Sequence, residues 1–152
     1  MNKIKIVIVD DHRLVRETWS FILNSDPRFK VIGDCASGEE ALLKIPRLSP
    51  DIVIMDINLP GINGIEATEK LCMPDASYKV LGVSLHVQPK YAYKMLQAGA
   101  MGYVTKNSAK EEMFQAVIDA LHGKIYICEE IRNVVNELIQ AEEQILHQKV
   151  AS

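Results

Sequence analysis

Three carboxylates and one lysine each stand at the end of a short apolar run of the sequence: Asp10, Asp11, Asp56 and Lys106. If these runs are parallel strands, their carboxyl ends meet at the edge where open α/β sheets bind ligands. A carboxylate can accept a phosphoryl group only when a divalent cation and a fixed positive side chain neutralise the added charge. The four residues therefore indicate a Mg²⁺-dependent phosphoryl-accepting site, with Asp56 at the start of a loop rich in proline and glycine.

The expected ligands follow from the chemistry of Mg²⁺, which prefers hard oxygen atoms and keeps several of its waters. Asp11 and Asp56 are the expected direct ligands, and Asp10 is expected to hold a metal-bound water. A backbone carbonyl in the loop after Asp56 is the expected further protein ligand. Lys106 would contact the phosphoryl oxygens as a point charge, and the hydroxyl of Ser84, at the end of a later strand, would contact another oxygen.

Each of these residues also has an ordinary explanation when it is taken alone. Asp10 and Asp11 would cap a helix, Asp56 would cap a loop, and Ser84 and Lys106 would be a strand-end hydroxyl and a solvated lysine. Their joint placement favours the site. Acids crowded at one sheet edge raise one another's pKa values unless a cation is bound there.

The elements that position these residues alternate regularly. Five β-rich runs are predicted, at about 3–9, 30–35, 51–55, 78–84 and 102–105. The first, third and fourth are almost entirely apolar, which is typical of strands buried on both faces of a parallel sheet. The pattern predicts an α/β fold, a (βα)₅ doubly wound five-stranded parallel sheet.

Helical patterns separate the runs. They are predicted at about 12–25, from Ser37 onward, and at about 64–73, 89–98 and 109–122. Ser37 and Glu40 have the spacing of a capping box, Asn63 is the expected cap of the third helix, and Pro74 is its expected end. In the first helix, Leu14, Val15, Thr18 and Ile22 share one face.

The pattern changes after Gly123. A short extended piece at 124–127 precedes a long helix from Glu129 to about Lys149, in which Ile131, Leu138 and Ile145 recur every seven residues. This segment either packs on its own domain or forms a linker and dimerisation helix. The predicted organisation is one domain at 1–123 and a C-terminal linker or dimerisation helix at 124–152.

The composition excludes several classes of protein. A chain of 152 residues with 48% hydrophobic and 24% charged residues is long enough for one buried core. The net charge of −3 gives no reason to expect contact with nucleic acid or membrane by this chain itself. There is no apolar run of ~20 residues and no signal-peptide pattern. The three cysteines are widely spaced, which favours reduced thiols and a cytoplasmic protein.

Four segments together resemble the receiver domain of two-component response regulators, over about residues 1–123. They are 7–12 (Val-Ile-Val-Asp-Asp-His), 56–64 (Asp-Ile-Asn-Leu-Pro-Gly-Ile-Asn-Gly), 83–84 (Val-Ser) and 98–106 (Ala-Gly-Ala-Met-Gly-Tyr-Val-Thr-Lys). The resemblance implies the flavodoxin-like strand order 2-1-3-4-5 and phosphorylation of Asp56 by a sensor histidine kinase. It implies that Asp10 and Asp11 organise Mg²⁺ (or Mn²⁺), that the carbonyl of Asn58 completes the metal shell, and that Ser84 and Lys106 hold the phosphoryl group.

The resemblance also implies a conformational switch. Phosphorylation would draw Ser84 toward the phosphoryl group, and Tyr103 would turn inward. Asn58 and His86 occupy positions that tune hydrolysis of the acyl phosphate, although an edge aromatic and a surface histidine are the ordinary alternatives for Tyr103 and His86. Many receivers have proline after the lysine, whereas this chain has Asn107. We expect a cis bond there, because Lys106 must be aimed at the pocket.

Segments 106–108 and 123–127 and the long helix resemble the subgroup whose receiver precedes a helix-turn-helix DNA-binding domain. The expected function is phosphoryl relay to a transcription-regulating output domain beyond residue 152. The expected catalysis is limited to self-phosphorylation and self-dephosphorylation.

Three alternatives remain. One is a stand-alone receiver acting by protein–protein contact. A second is a haloacid-dehalogenase-type phosphatase, which would need an aspartate where this chain has Asn58. A third is a flavin-binding module, which would need a phosphate loop where Asp10 and Asp11 stand.

Overall fold

The computed structural model describes residues 2–73 and 78–151. Its six strands are all parallel and lie in the order β2-β1-β3-β4-β5-β6. The flavodoxin-like order predicted from the sequence is confirmed, and a short sixth strand extends it. The strands are β1 (Ile4–Val9), β2 (Phe29–Cys35), β3 (Ile52–Asp56), β4 (Val80–Ser84), β5 (Gly102–Thr105) and β6 (Tyr126–Ile127).

Six helices occur in the described residues, at positions close to those predicted. They are α1 (Arg13–Asn24), α2 (Gly38–Leu48), α3 (Gly64–Cys72), α4 (Pro89–Gln97), α5 (Lys110–Leu121) and α6 (Glu129–Ala151). The helices α2, α3, α4 and α6 pack side by side in that order, α1 contacts β1 and β2, and α5 contacts β3 to β6. The sheet is therefore covered by helices in the doubly wound arrangement.

The sheet core is made by strands whose residues are buried on both faces. Every residue of β3, β4 and β5 is buried. The register pairs Val9 with Met55, Asp56 with Val83, and Ser84 with Thr105. Because these pairs are aligned, β1, β3, β4 and β5 end at nearly the same level, and the residues at their carboxyl ends are neighbours.

Two helix starts use the caps that the sequence predicted. The Ser37 hydroxyl accepts a hydrogen bond from the Glu40 amide at 3.1 Å, and the Asn63 side chain accepts one from the Glu66 amide at 2.9 Å. Helix α2 continues past Pro46 for two residues before it ends. Pro74, the expected end of the third helix, lies outside the described residues.

The predicted apolar face of α1 lines a groove instead of the core. Leu14 is 75% exposed, whereas Leu23 is fully buried and anchors the helix. Val15 and Ile22 are half-buried, and the groove that they line with the start of α5 has a volume of about 380 Å³. The helical periodicity predicts helix α1 correctly, but periodicity alone does not distinguish a face packed in the core from a face that lines a groove.

The C-terminal segment has a docked part and an exposed part. Ile131 and Val135 are buried and Ile139 packs against the same core, so the first turns of α6 lie on their own domain next to α4. Farther along, Ile145 and Leu146 are exposed. The docked stripe has a spacing of four residues; it shares Ile131 with the heptad that the sequence suggested and then departs from it.

Two further expectations concern the chain as a whole. The three cysteines are free thiols, two of them buried. Among the described residues, no helix combines the length and the apolar character needed to cross a membrane.

Candidate functional site

The residues predicted to form the site lie at the carboxyl ends of four strands and line one pocket. Asp56 and Ser84 are the last residues of β3 and β4, and Asp10 and Lys106 directly follow β1 and β5. The Lys106 amide donates a hydrogen bond to the Ser84 carbonyl oxygen at 2.8 Å, which fixes the end of β5 beside that of β4. Asp10, Asp56 and Ser84 are buried.

The centre of the pocket is a lysine between two carboxylates. Lys106 Nζ lies 3.1 Å from Asp10 Oδ2 and 3.4 Å from Asp56 Oδ2. The side chains of Asp10 and Asp56 are only 4% and 2% exposed, and that of Lys106 is 17% exposed. The ammonium group is thus held where negative charge is concentrated.

A third carboxylate and an imidazole stand at the outer side. Asp10, Asp11, His12 and Asp56 each place a potential ligand atom within 4.8 Å of the others. The Asp11 side chain is 30% exposed, and its Oδ1 lies 3.1 Å from His12 Nδ1. His12 is not among the predicted site residues, and its only signal in the sequence is its position directly after the two acids.

The electrostatics of Asp56 show an incompletely satisfied carboxylate. Burial, and then the charge of Asp10, raise the pKa of Asp56 to about 6, although Lys106 opposes the shift. Oδ1 of Asp56 accepts a hydrogen bond from the Asn58 amide at 3.2 Å, whereas the buried Oδ2 accepts none. Among the described residues only the Lys106 ammonium, 3.4 Å away, compensates the charge on this buried oxygen, which therefore suits a further cation or a new covalent bond. The acidic donor set and this oxygen fit a hard divalent ion.

The loop after β3 packs closely under Asp56. A Cβ atom at Gly64 would lie 2.0 Å from the Asp56 carbonyl oxygen, so only glycine fits at that position. The Gly64 amide donates to the Ile57 carbonyl at 2.8 Å and closes the loop. The glycine at the end of the loop motif therefore sets the backbone on which Asp56 and Asn58 sit.

The expected cis bond after Lys106 is wrong. None of the described residues has a cis peptide bond, and Lys106–Asn107 is trans. The long side chain of Lys106 reaches both carboxylates from a strand end that is already anchored to Ser84. No unusual peptide geometry is needed to aim it.

His86 is the centre of a hydrogen-bond network beside the pocket. Its amide donates to Ser84 Oγ at 3.1 Å, and its carbonyl accepts from the Tyr103 hydroxyl at 2.8 Å. Tyr103 is fully buried and therefore points inward, and burial raises its pKa to about 12. Ser84 and Tyr103 are thus connected through the backbone of one residue.

The ring of His86 has its own partners. Its Nε2 lies 3.0 Å from Asn58 Nδ2 and 3.2 Å from Asn58 Oδ1, so a hydrogen bond with the carboxamide is available to either tautomer. The other partner is Tyr91 of α4, whose ring stacks on the imidazole with centroids 4.1 Å apart. The sequence carried no signal for Tyr91.

The start of α6 is tied to β5 and α5. The Thr105 hydroxyl donates to Glu130 Oε2 at 3.0 Å. Glu112 Oε2 accepts from the Tyr126 hydroxyl at 2.6 Å and from the Glu129 amide at 2.9 Å. These contacts, which the sequence did not predict, join the long helix to residues next to Lys106 and Tyr103.

Comparisons with known proteins identify the family of this chain. The family model described as the response regulator receiver domain matches residues 6–118. The transcriptional regulatory protein DegU of Brevibacillus brevis is 38% identical over 152 residues, covering 95% of this chain and 64% of that protein. The response regulator GacA of Pseudomonas syringae is 41% identical over 128 residues, covering 84% of this chain and 60% of that protein.

A solved structure is also similar over nearly the whole chain. The crystal structure of a two-component response regulator of the LuxR family from Aurantimonas sp. matches with a TM-score of 0.85 at 35% identity, covering 95% of this chain and 99% of that one. The chain spans less than two thirds of the length of DegU and GacA.

Proposed function

This chain belongs to the response regulator receiver family of two-component signalling, and from that premise we propose that Asp56 is its phosphoacceptor. The observation that carries the assignment is the Lys106 ammonium group between two buried carboxylates. It lies 3.4 Å from Asp56 Oδ2, which accepts no hydrogen bond from the described residues. The donor of the phosphoryl group would be the phosphohistidine of a sensor histidine kinase. An oxygen of Asp56 bonds to phosphorus as the bond from phosphorus to the histidine nitrogen breaks.

The proposed roles of the other residues follow from their positions. Asp11, Asp56 and the backbone carbonyl of Asn58 would hold Mg²⁺ or Mn²⁺, and Asp10 would hold a metal-bound water. The ion, when bound, neutralises the charge that builds up on the transferred group. Lys106 would contact the phosphoryl oxygens from the opposite side.

Ser84 would donate its hydroxyl to the remaining phosphoryl oxygen. Its oxygen now accepts from the His86 amide, and the His86 carbonyl in turn accepts from Tyr103. Tyr103 already lies inward through this hydrogen bond, so a shift of Ser84 toward phosphorus would act on Tyr103 through the His86 backbone and would favour its inward position. We infer that Ser84 and Tyr103 form the switch, with a coupling of about 1–3 kcal/mol, as is typical of such devices.

The groove between α1 and α5 is the proposed docking surface for the kinase. It is lined by apolar side chains of α1, including the exposed Leu14, and it extends to Lys106 and Ser108. An apolar cleft that opens at the phosphoryl-binding lysine lets a partner dock while its histidine reaches Asp56.

Phosphorylation should require the metal ion. After incubation with acetyl phosphate, intact mass spectrometry should show a gain of one phosphoryl group with Mg²⁺ present and almost none with excess chelator. Asp11→Asn should lower the rate of uptake at a fixed Mg²⁺ concentration, and more Mg²⁺ should partly restore it, because one ligand is weakened. Equal uptake with and without the ion would contradict the proposed site.

The output that we propose for this chain is control of transcription. The relatives it matches are longer, and one of them is named a transcriptional regulatory protein. We propose that phosphorylation controls a DNA-binding domain beyond residue 152, connected through the segment 124–152. A stand-alone receiver that acts by protein contact is the alternative.

The exposed end of α6 is the proposed dimer contact. Ile145 and Leu146 are exposed on a helix that otherwise carries mostly polar side chains, and only its first turns are docked. Replacing both with lysine should shift a dimer to monomer in light scattering. Gln140→Lys with Gln144→Lys adds the same charge on the opposite helix face and should leave the mass unchanged. Equal masses for the two double variants would argue against this contact.

A further inference from the structure

The stack between His86 and Tyr91 has no role in the site as described so far. The two ring centroids are 4.1 Å apart and the planes differ by 22°. Tyr91 lies in the first turn of α4, where its amide donates to the Gln88 carbonyl at 3.2 Å. The first turn of α4 therefore holds the Tyr91 ring against one face of the His86 imidazole, whose other side-chain contact is with Asn58.

The backbone of His86 is fixed independently of its ring. Its amide and carbonyl are bound by Ser84 Oγ and the Tyr103 hydroxyl, so what remains to be set is the side-chain torsion. Tyr91 on one side and the Asn58 carboxamide on the other define that torsion. Removing the Tyr91 ring would leave only the contact with Asn58, whose side chain is exposed.

Asn58 places this pair next to the acceptor. It lies two residues after Asp56, and its amide binds Asp56 Oδ1 at 3.2 Å. Its side chain meets that of His86, which follows the neighbouring strand β4. The two side chains thus bridge the loops after β3 and β4 beside a carboxylate that is only 2% exposed.

We propose that Tyr91 is a positioning residue that holds His86 against Asn58, so that the paired side chains shield the phosphorylated Asp56 from water. The inference rests on the proposed phosphorylation of Asp56.

The reaction explains why such a cover matters. In hydrolysis of the aspartyl phosphate, a water oxygen bonds to phosphorus and the bond between phosphorus and the Asp56 oxygen breaks. The electron pair returns to the Asp56 carboxylate, and the water proton leaves to the released phosphate or to solvent. The water must approach opposite the breaking bond, from the solvent side of the loops. A bridge between the loops restricts that approach.

The test measures the lifetime of the phosphorylated chain. Protein phosphorylated with acetyl phosphate is desalted, returned to Mg²⁺, and followed by intact mass spectrometry. Tyr91→Leu, which keeps apolar volume but removes the stacked ring, should hydrolyse roughly threefold to thirtyfold faster than the wild type, the range expected for coupling through a neighbouring contact. Tyr91→Phe keeps the ring and should retain the wild-type lifetime.

A double-variant comparison separates positioning from a general effect on the fold. His86→Ala should also hydrolyse faster, and adding Tyr91→Leu to it should bring no further increase, since Tyr91 acts through His86. Tyr93→Leu makes the same change two residues along α4, where the side chain does not face the same neighbours, and should have no effect. In NMR spectra, the ring-current shift of the His86 imidazole protons should persist in Tyr91→Phe and vanish in Tyr91→Leu.

Two results would overturn the proposal. One is an unchanged lifetime in Tyr91→Leu, and the other is an acceleration that is just as large in the His86→Ala background. A wild-type chain that takes up no phosphoryl group would overturn both this inference and the proposed function. If the wild type takes up a phosphoryl group but Tyr91→Leu leaves the lifetime of the phosphorylated chain unchanged, only the proposed role of Tyr91 would be overturned.

Discussion

Asp56→Asn is expected to abolish phosphorylation of this chain. The amide lacks the nucleophilic oxygen pair of the carboxylate, and the other two acids of the site are poor substitutes. Asp10 is held by Lys106 and by the His12 amide at 2.8 Å, and Asp11 is exposed to solvent on one side. Under conditions in which the wild type gains one phosphoryl group from acetyl phosphate, intact mass spectrometry should show no gain for the variant.

A matched control separates loss of the acceptor from loss of charge. Asp34→Asn removes a carboxylate whose side chain is 49% exposed and lies on β2, at the far edge of the sheet order. That variant should be phosphorylated like the wild type. If Asp56→Asn still gained a phosphoryl group with Mg²⁺, another residue would be the acceptor.

Asp56→Asn should also stabilise the protein in the absence of divalent ions. The pKa of Asp56 is raised from 3.8 to about 6 by burial and by Asp10. As the pH rises from about 4 to about 6, the unfolded chain gives up this proton first, so stability is lost across that range. Above it, the ionised group costs at most about 3 kcal/mol, since one pKa unit corresponds to ~1.4 kcal/mol.

Thermal unfolding in chelator near neutral pH measures this effect. Asp56→Asn should unfold at a Tm roughly 5–10 °C above that of the wild type, and the difference should shrink as the pH falls toward about 4. Asp34→Asn should change stability by no more than ~1 kcal/mol, because it weakens only a surface ion pair, with Arg16 at 3.7 Å. Mg²⁺ should raise the Tm of the wild type much more than that of Asp56→Asn. A variant that unfolds at or below the wild-type Tm in chelator would show that the buried charge is already satisfied.

The fold was largely predictable because its signals are local. The all-apolar composition of runs such as Ile52–Met55 predicts a buried strand. Ser37 and Asn63 predict helix starts, because each side chain accepts a hydrogen bond from the amide three residues later. The strand ends then follow from the topology, so Asp56 and Lys106 were expected at one edge before any distance was known. The parallel register aligns the ends of β3, β4 and β5, and the side chain of Lys106 spans the end of β4 to reach Asp56.

The remaining features depend on contacts between distant segments. The stack of Tyr91 on His86 requires the exact start of α4, and the contact of Glu112 with Tyr126 and Glu129 requires a sixth strand only two residues long. A cis bond after Lys106 is expected if the backbone must turn to aim the lysine at the pocket. The trans chain needs no such turn, because the Lys106 side chain is long and its amide is anchored to the Ser84 carbonyl. None of these features leaves a periodic mark in the sequence.

The way α6 is fastened has a mechanical consequence. Only its first turns, as far as Ile139, touch the domain among the described residues, and about 18 Å of helix extends from Ile139 to Ala151 at ~1.5 Å per residue. The fastening points, Glu112 and Glu130, adjoin the strand that carries Lys106 and Tyr103. A tilt of about 10° at that base would move the far tip by roughly 3 Å, given this length. A rigid rod of this kind would act as a lever arm, because a small rotation at its base produces a much larger displacement at its tip.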